Sequence, residues 1–330
     1  MDVIDQQILQ SLMLDGRAPM RRIATAVGIS EQTAARRYRT MHEAGVLRVL
    51  TSPTTAPADR RLWVLRMQCR PDAAATLGER LAARDDVGWV ALLSGGAELL
   101  CTSTLPADAA CGTGVLPKLS HTAAVLSFTA HCVLQSYSGG PAEWSAFDQP
   151  LTPQAKRILL GDDVPRRRAS THAVIAADDH ALVDALRTDG RASVSALARI
   201  LDWPTSRVGS RLQHLLETGA ITVDVDVLLE HFGFDASAHL FLQVAPNRIT
   251  AVCEALSTHP HTSWVAAITG SANVMAAVTC RNYNDLFAYV TEQVGPLDGV
   301  IHLEILPVLT RLKQADTRIE NARFQGAVSR

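Results

Sequence analysis

The feature that most constrains this chain is an internal duplication. Residues 15–47 and 189–221 align without a gap when 174 is added to each number of the first copy. Both copies carry the tetrapeptide Asp-Gly-Arg-Ala, and they also share the pairs Ala24/Ala198, Arg37/Arg211 and Gly45/Gly219. A self-match of this length indicates a repeated architecture. The 330 residues are enough for two or more domains.

Each copy has the spacing of three short helices. In the first copy, Gly28 predicts a left-handed cap on the second helix. Ser30 suits the N-cap of a third helix over residues 31–44, which Gly45 ends. Two helices joined by residues 28–30 form a helix-turn-helix, whose second helix can enter a DNA major groove. A plain three-helix bundle with a solvated basic face is the alternative interpretation.

The third helix supplies side chains that suit base edges and phosphates. The candidate DNA-binding residues are Arg22, Ser30, Gln32, Thr33, Arg36, Arg37 and Arg39 in the first copy, and Arg207 and Arg211 in the second. Residues 1–50 hold seven arginines against five acids, whereas residues 178–226 hold five arginines against eight acids. Because phosphate binding depends on local positive charge, the first copy is predicted to be the stronger DNA reader.

A βαββαβ pattern follows each helical unit, and the second occurrence lies 175 residues after the first. Trp-Val-Ala, for example, stands at residues 89–91 and again at 264–266. The predicted strands are 62–69, 87–93, 98–104 and 123–134, then 240–244, 262–268, 274–280 and 300–309. The predicted helices are 72–83 and 107–118, then 248–257 and 283–294. The predicted fold class is therefore α+β, with two winged-type helix-turn-helix units that are each followed by a ferredoxin-like domain.

These patterns predict five segments. They are the first helix-turn-helix (1–50), the first ferredoxin-like domain (60–135), a linker (136–177), the second helix-turn-helix (178–226) and the second ferredoxin-like domain (236–313). Residues 51–59 are polar and contain prolines, which is typical of a hinge. Within the linker, Thr152 and Pro153 predict the start of one short helix that ends at Gly161. The arginine run 166–168 is interpreted as solvated linker or as a supporting phosphate contact.

Composition excludes several other classes. The six cysteines form no C-x-x-C pair and have no histidine at metal spacing, so we predict reduced, structural thiols and no metal site. The N-terminus lacks a signal-peptide core, and no stretch of about 20 apolar residues exists, so we expect a cytoplasmic protein without membrane contact. No Ser-His-Asp pattern, phosphate loop or paired-carboxylate motif is present. We therefore predict no catalytic residues and no cofactor.

The order of these elements, with Glu-Ala-Gly-Val-Leu at 43–47 and a glycine turn between the middle strands, resembles the Lrp/AsnC transcriptional regulators. The resemblance covers nearly the whole chain, twice, and leaves out the linker and the tail after Lys313. It implies sequence-specific binding of double-stranded DNA by the N-terminal unit. It also implies sensing of a small amino acid or related metabolite by the second domain, and homo-oligomers, as dimers or higher, that form through the sheets.

The effector loop of this family is a glycine followed three residues later by an acid. The matching residues, which we predict to bind the effector, are Ser94, Gly95, Gly96 and Glu98 in the first copy, and Thr269, Gly270, Ser271 and Asn273 in the second. Glycine amides can approach a carboxylate closely, and a side-chain oxygen can accept from an ammonium group. Because Asn273 is neutral, we expect its turn to bind weakly or to be structural. A β-turn that needs glycine is the alternative.

Two further functions remain open. Siroheme decarboxylases are similar to Lrp/AsnC proteins and also come as paired copies, but they need arginines and histidines around a polycarboxylate tetrapyrrole. In this chain the basic residues concentrate on the predicted DNA-reading helix. An architectural DNA-binding protein would bind with little sequence preference. We also hypothesise that residues 60–135 and 239–313 pair as a pseudo-dimer, within one chain or between two.

Overall fold

The two copies are distributed over two units. The computed structural model describes residues 1–53, 60–106, 115, 119, 122–139, 144–161 and 175–325. The helical unit comprises Met1–Pro57 and Phe147–Leu228, and the sheet unit comprises Ala58–Ala146 and Leu229–Gly326. Each unit therefore gathers one kind of module from both copies. Among the described residues, no helix combines the length and the hydropathy needed to span a lipid bilayer.

The secondary structure is mixed, with helices concentrated in the first unit. The helices in chain order are α1 (Val3–Leu14), α2 (Met20–Val27), α3 (Glu31–Glu43), α4 (Ala74–Ala82), α5 (Pro153–Leu160), α6 (His180–Thr188), α7 (Val194–Leu201), α8 (Thr205–Glu217), α9 (Ile249–Thr258) and α10 (Tyr283–Tyr289). The strands are β1 (Leu47–Pro53), β2 (Arg60–Cys69), β3 (Val87–Leu93), β4 (Glu98–Pro106), β5 (Val125–Gly139), β6 (Ile221–Val227), β7 (Ala236–Val244), β8 (Thr262–Ile268), β9 (Val274–Cys280), β10 (Val300–Gln314), β11 (Thr317–Glu320) and β12 (Arg323–Phe324).

The predicted helix signals of the first module are confirmed. Gly28 adopts φ +79° and caps α2, and the Ser30 side chain accepts a hydrogen bond from the Thr33 amide at the start of α3. In the second copy Asp202 takes the left-handed conformation in place of Gly28, and Pro204 precedes α8. Asp is among the few residues that tolerate this conformation, so the turn survives without glycine.

The two helix-turn-helix modules are joined by an antiparallel strand pair, β1 with β6. In its register Leu50 lies opposite Asp224, its own counterpart in the other copy. The pair is thus centred on a pseudo-two-fold axis. Sequence analysis missed both strands: residues 51–53, assigned to the hinge, continue β1, while residues 54–59 lie outside the described residues. The partner of β1 lies about 174 residues away, so no local pattern revealed the pairing.

The repeated Asp-Gly-Arg-Ala segment forms a reciprocal contact between the copies. Arg17 donates to the carbonyl oxygens of Gly190 and, at 2.9 Å, of Ala192. Arg191 donates to the carbonyl oxygens of Gly16 and Ala18, at 2.6 and 2.8 Å. Each arginine therefore supplies hydrogen bonds to backbone carbonyl groups in the loop of the opposite copy, which explains why both loops retain the same sequence.

Glycine is required in these loops because the backbones approach closely. A Cβ atom on Gly16 would lie 2.6 Å from a methyl group of Val223, on β6. A Cβ atom on Gly190 would lie 2.9–3.0 Å from the Leu50 backbone, on β1. Both distances are shorter than real Cβ contacts, so larger residues would push each loop away from the opposite strand.

In the sheet unit, eight strands form a closed ring. Its order is β2, β4, β3, β10, β7, β9, β8 and β5, and β5 pairs with β2 to complete it. The first half contributes β2–β5, and the second contributes β7–β10. The ferredoxin-like, α+β fold class is confirmed. The predicted helix over 107–118 falls almost wholly outside the described residues.

The last strand of each half pairs within its own half and then continues into the other half. β5 pairs with β2 and then with β8, and β10 pairs with β7 and then with β3. This continuation explains why β5 and β10 run to residues 139 and 314, whereas the sequence predicted ends at 134 and 309: the additional residues lie in the part that pairs with the other half. The hypothesised pseudo-dimer thus forms within one chain. The tail after β10 adds the short hairpin strands β11 and β12.

Three apolar clusters fill this unit. One lies between the first sheet and α4, and a second lies between the second sheet, α9 and α10. The third lies inside the ring, between the halves, and its buried members are Val64, Ala91, Leu93, Leu100, Phe241, Ala266, Ile268, Met275 and Leu306. Since both halves contribute to it, neither half buries this surface alone.

The reciprocal arginines predict a measurable stability effect. Arg17→Ala leaves two carbonyl groups without their donor, which should cost about 1–3 kcal/mol of unfolding free energy. Urea unfolding followed by far-ultraviolet circular dichroism measures this. Arg21→Ala, which removes an exposed guanidinium from α2, is the control. Equal effects of the two substitutions would contradict the assignment.

Candidate nucleic-acid interface and effector turns

The outer face of α3 carries the predicted DNA-reading side chains. Gln32, Arg36 and Arg39 are exposed, and Thr33 is half-buried. The Ser30 hydroxyl caps the helix and lies 2.8 Å from the Thr33 hydroxyl. Ser30 and Thr33 thus fix the start of α3, while the longer side chains remain available to a ligand.

Arg37 faces the other way, toward α1. Its guanidinium donates to the carboxylates of Asp2, at 2.7 Å, and Asp5, at 2.9 Å. Asp2 also accepts from the Asp5 amide at the start of α1, and this bond together with Arg37 lowers the pKa of Asp2. The interaction holds α3 against α1, so a DNA contact by Arg37 would have to break it.

Arg211 occupies the equivalent place in the second module. It forms a bidentate pair with Asp179, which is 1% exposed and is the counterpart of Asp5. The hydrogen bond from Arg211 lowers the pKa of Asp179. The identity of residues 37 and 211 in the duplication is therefore explained by helix packing. The DNA contacts proposed for these two arginines stay predictions, and the structure gives both side chains another role.

The remaining candidates differ between the modules. Arg22 is half-exposed on α2 and donates to the Leu159 carbonyl oxygen of α5 at 3.2 Å. On α8, Arg207 is exposed and its guanidinium lies 4.1 Å from the centre of the Trp203 ring. The exposed face of α8 therefore carries one cation that is already stacked on an aromatic ring.

The first of the two turns that are predicted to bind an effector, at residues 94–98, is open. Ser94, Gly95 and Gly96 have φ values of +46°, +80° and +91°, so three successive residues are left-handed. No atom lies within 4 Å of a Cβ position built on Gly95, and Gly96 meets only Leu309, at 3.5 Å. The backbone of this turn is therefore accessible to a small ligand.

Glu98, at the end of this turn, is not a free carboxylate. It is 6% exposed and accepts from Arg66, whose other two nitrogens donate to Glu304 at 2.6 Å each. The bidentate bond to Arg66 lowers the pKa of Glu304. Arg66 therefore neutralises the charge of Glu98, and the predicted contact of Glu98 with an effector stays a prediction. The three groups together retain one negative charge, and Glu304 is their half-exposed member.

In the second of these predicted turns, at residues 269–273, side chains of the protein fill the space. Thr269 exchanges hydrogen bonds with Cys132 at 2.8 and 2.9 Å, and its carbonyl oxygen lies 2.6 Å from His131 Nδ1. The His131 ring also fills the space beside Gly270, where a Cβ atom would lie 2.6 Å away. Ser271 is exposed beside them. This turn is therefore fastened to β5 of the other half.

Asn273 has a structural role in the second turn. Its side-chain oxygen accepts from the Val244 amide at 2.8 Å, and its side-chain nitrogen donates to the Val244 carbonyl at 2.7 Å. The amide thus pairs like a strand residue with the end of β7. Both polar atoms of this side chain are thus engaged by the backbone of β7.

Sequence analysis missed Arg66 and Glu304, which form the charged cluster with Glu98. It also missed His131, which fills the space beside Gly270. A signal was present: the second copy replaces Arg66 by Phe241 and Glu98 by Asn273, so both charges are absent together. The Arg66 guanidinium lies 5.5 Å from the Phe241 ring centre, which shows that the two counterpart positions meet inside the ring.

The sheet unit also has a cleft of about 680 Å³ beside β10. Four carboxylates line it, from Glu79, Glu230, Asp235 and Glu320, together with the guanidinium of Arg311. Arg311 donates to Ser237 at 2.5 Å and to Glu230 at 3.4 Å. Arg318 pairs with Glu79 and Glu320 at 3.1 and 3.0 Å, so these four carboxylates and two guanidinium groups leave a surplus of two negative charges.

In the part of the chain that is described, the cysteines are not paired in disulfides. The cysteines there are free thiols, at positions 69, 101, 132, 253 and 280, and burial raises the pKa of Cys101 to about 12. Groups of three or more histidine, cysteine or acidic residues that could hold a metal ion are also absent from those residues.

The Arg66 cluster predicts both a stability loss and a pH effect. Arg66→Ala leaves Glu98 buried without a counter-charge, which should cost about 3–5 kcal/mol. Because the folded pKa of Glu304 lies below its ordinary value of 4.5, its contribution is present at neutral pH and is lost as the pH falls through the folded pKa.

Urea unfolding between about pH 3 and 7, followed by circular dichroism, checks this prediction. The variant should lose the part of the acid dependence that arises from Glu304. Arg70→Ala, which breaks an exposed pair with Asp72, is the control and should cost at most about 1 kcal/mol. An Arg66 variant with the same stability as this control would contradict the prediction.

Comparison with known proteins identifies both kinds of module. Residues 1–42 match the AsnC-type helix-turn-helix domain, and residues 237–317 match the Lrp/AsnC ligand binding domain. An uncharacterized HTH-type transcriptional regulator of Pyrococcus abyssi is 28% identical over 138 residues, 41% of this chain and 86% of that protein. The HTH-type transcriptional regulator LrpA of the same organism is 24% identical over 136 residues, 41% of this chain and 96% of that protein.

Solved structures with the same fold include the siroheme decarboxylase NirDL. The TM-score is 0.57 at 12% identity, and the match covers 98% of this chain and 94% of that one. Escherichia coli AsnC matches 42% of this chain and 94% of its own, with a TM-score of 0.39 and 19% identity. The likeness to NirDL is one of fold. The N-terminal match is to an AsnC-type helix-turn-helix and the C-terminal match is to the Lrp/AsnC ligand binding domain, so the chain contains the two kinds of domain that are found in the Lrp/AsnC family.

Proposed function

We propose that the protein is a sequence-specific DNA-binding transcriptional regulator that responds to a small amino acid or related metabolite, and that it is not an enzyme. The observation that carries this proposal is the outer face of α3, where Gln32, Arg36 and Arg39 are exposed on a helix that is capped by Ser30. Arginine and glutamine are the residue types that read guanine and adenine edges in the major groove. A regulator of this kind acts in the compartment that holds the DNA, which in a bacterium or archaeon is the cytoplasm.

The first helix-turn-helix module is proposed to make most of the sequence-specific contacts with DNA. On α3, Arg36 and Arg39 are exposed, and their guanidinium groups form no ion pair with a described residue. On α8, by contrast, Arg207 is stacked on Trp203. The local charge balance of the sequence points the same way. The second module then helps to position the protein on the DNA and contributes less to discrimination between DNA sequences.

The full-length likeness to a siroheme decarboxylase raises a second candidate function, but the charges of the cleft oppose it. A polycarboxylate tetrapyrrole needs cationic groups around it, whereas four carboxylates and Arg311 line the cleft beside β10. His239, near Arg311, has its pKa lowered to about 4 by burial, so it adds no positive charge at neutral pH. Like-charge contact is strongly unfavourable in a partly buried site. Titration with a tetrapyrrole should leave the absorption spectrum of the pigment unchanged.

We propose one effector per chain, at the first turn. Its backbone is open at Gly95 and Gly96, and the surplus negative charge of the Arg66 cluster is available to an ammonium group. At the second turn, His131 and Thr269 fill the equivalent space, and Asn273 is engaged by Val244. Of the two roles expected for the second turn, weak effector binding or a structural role, we therefore favour the structural role.

Assembly beyond one chain is proposed through the outer face of the ring. Leu126 and Leu134 on β5 are about two-thirds exposed, and so are their counterparts Ile301 and Leu309 on β10. Apolar side chains that are exposed at equivalent places in both halves suit a symmetric contact with another copy.

The DNA prediction is tested on the sequence extracted from genome-wide mapping of bound DNA. Arg36→Ala and Arg39→Ala should each weaken binding to that duplex by about 1–3 kcal/mol, and Arg207→Ala should weaken it less. Fluorescence anisotropy at fixed salt gives the affinities. A scrambled duplex that binds equally well would instead support an architectural role and would contradict sequence-specific regulation.

The effector prediction is tested by calorimetry with each of the twenty amino acids. We expect a stoichiometry of one per chain for the amino acid that binds. Glu304→Gln should weaken this binding, because it removes the half-exposed negative charge of the cluster. Asn273→Ala should lower stability and leave the affinity unchanged. Two equivalent sites per chain, or no effect of Glu304→Gln, would exclude the proposed site.

A further inference from the structure

We propose that α5, the linker helix, is a second contact surface for the DNA backbone, through Lys156 and Arg157. This inference rests on the proposed function and adds to it a phosphate-binding surface outside the helix-turn-helix. The linker was expected to connect the two copies. In the structure its helical part is instead a fixed element of the first module.

The docking of α5 is specific. Leu151, Ala155 and Leu159 bury their side chains in the helical unit. Gln10 of α1 donates to the Gln149 carbonyl at 3.0 Å and accepts from the Leu151 amide at 2.9 Å. The helix begins as predicted, with the Thr152 side chain accepting from the Ala155 amide, and it ends at Gly161. These bonds fix the position of α5 against α1 and α2.

The C-terminal end of α5 lies at the beginning of α2. Arg22, the third residue of α2, donates to the Leu159 carbonyl oxygen at 3.2 Å. In helix-turn-helix complexes the first helix of the motif crosses the DNA backbone while the second lies in the groove. Backbone phosphates that pass the start of α2 would therefore also pass the neighbouring helix α5.

The charges on this surface suit phosphate groups. Lys156 and Arg157 are exposed, and neither forms an ion pair with another described residue. The sequence of α5, PQAKRILL, contains no acid. On α2, Arg21 is exposed and Arg22 is half-exposed. Lys156 and Arg157 therefore extend the positive surface of the first module beyond α2.

The second module has no such helix among the described residues. After β6 the chain continues through a short 3₁₀ turn, Leu229–Phe232, directly into β7. The residues of that module also carry a net negative charge, with eight acids against five arginines over 178–226. Helix α5 thus strengthens the module that already carries the better recognition helix.

The test measures the salt dependence of DNA binding by the full chain. In the double variant Lys156→Ala/Arg157→Ala, log K should fall less steeply with log salt. The magnitude of the negative slope should decrease by about 2 between about 50 and 200 mM salt. Affinity should fall about tenfold per lost contact near 0.1 M salt. The loss should be equal on the extracted and scrambled duplexes, because phosphate contacts carry no sequence information.

Two control variants make the result specific. Lys156→Arg/Arg157→Lys keeps both charges and should keep the wild-type slope. Arg70→Ala/Arg80→Ala removes two exposed charges from the sheet unit and should have no effect. A wild-type slope in the α5 double variant, or a loss of affinity without a change of slope, overturns this inference while the proposed function stands. Failure of the wild-type chain to prefer its extracted duplex overturns the proposed function itself.

Discussion

Backbone hydrogen bonding between the two copies is the constraint on which both units depend. An unpaired strand edge invites association with other chains, and each copy alone would leave several such edges. Pairing of β1 with β6 joins the two helix-turn-helix modules, and the continuation of β5 and β10 from one half into the other closes the ring of the sheet unit. The reciprocal contacts of Arg17 and Arg191 follow the same symmetry. Each copy thus completes the hydrogen bonding of the other.

Within this shared frame the copies have diverged where counterpart positions meet. Inside the ring, one side has the charged group of Arg66 and Glu98, and the other has Phe241 and Asn273 in the same places. A second charged cluster at this depth would need its own counter-ions, whereas an aromatic ring packs against a guanidinium without them. The two turns also differ, since the one at Gly95 is open and the one at Gly270 is fastened by His131, whose counterpart in the other half is Leu306.

Much of the fold could be predicted from sequence because its signals are local. Gly28, Ser30 and Thr152 mark helix ends through their own backbone preferences, and the strands of the ring show apolar spacing. The interactions between copies could not be predicted in this way. Strand β1 was not predicted because its last residues belong to a polar segment that contains prolines. Arg37 was predicted to contact DNA because its partner Asp5 lies on another helix. The recurrence of Asp5 and Arg37 as Asp179 and Arg211 was a usable signal that single residues do not provide.

The centring of the β1–β6 pair on Leu50 and Asp224 has a consequence for how the protein behaves in a cell. In a regulator assembled from two separate chains, the paired fraction falls as the protein is diluted, and partners can exchange. Here both partners belong to one polypeptide, so the pairing equilibrium contains no concentration term. Such a protein remains paired at a few copies per cell, and it cannot form mixed pairs with related chains through these strands.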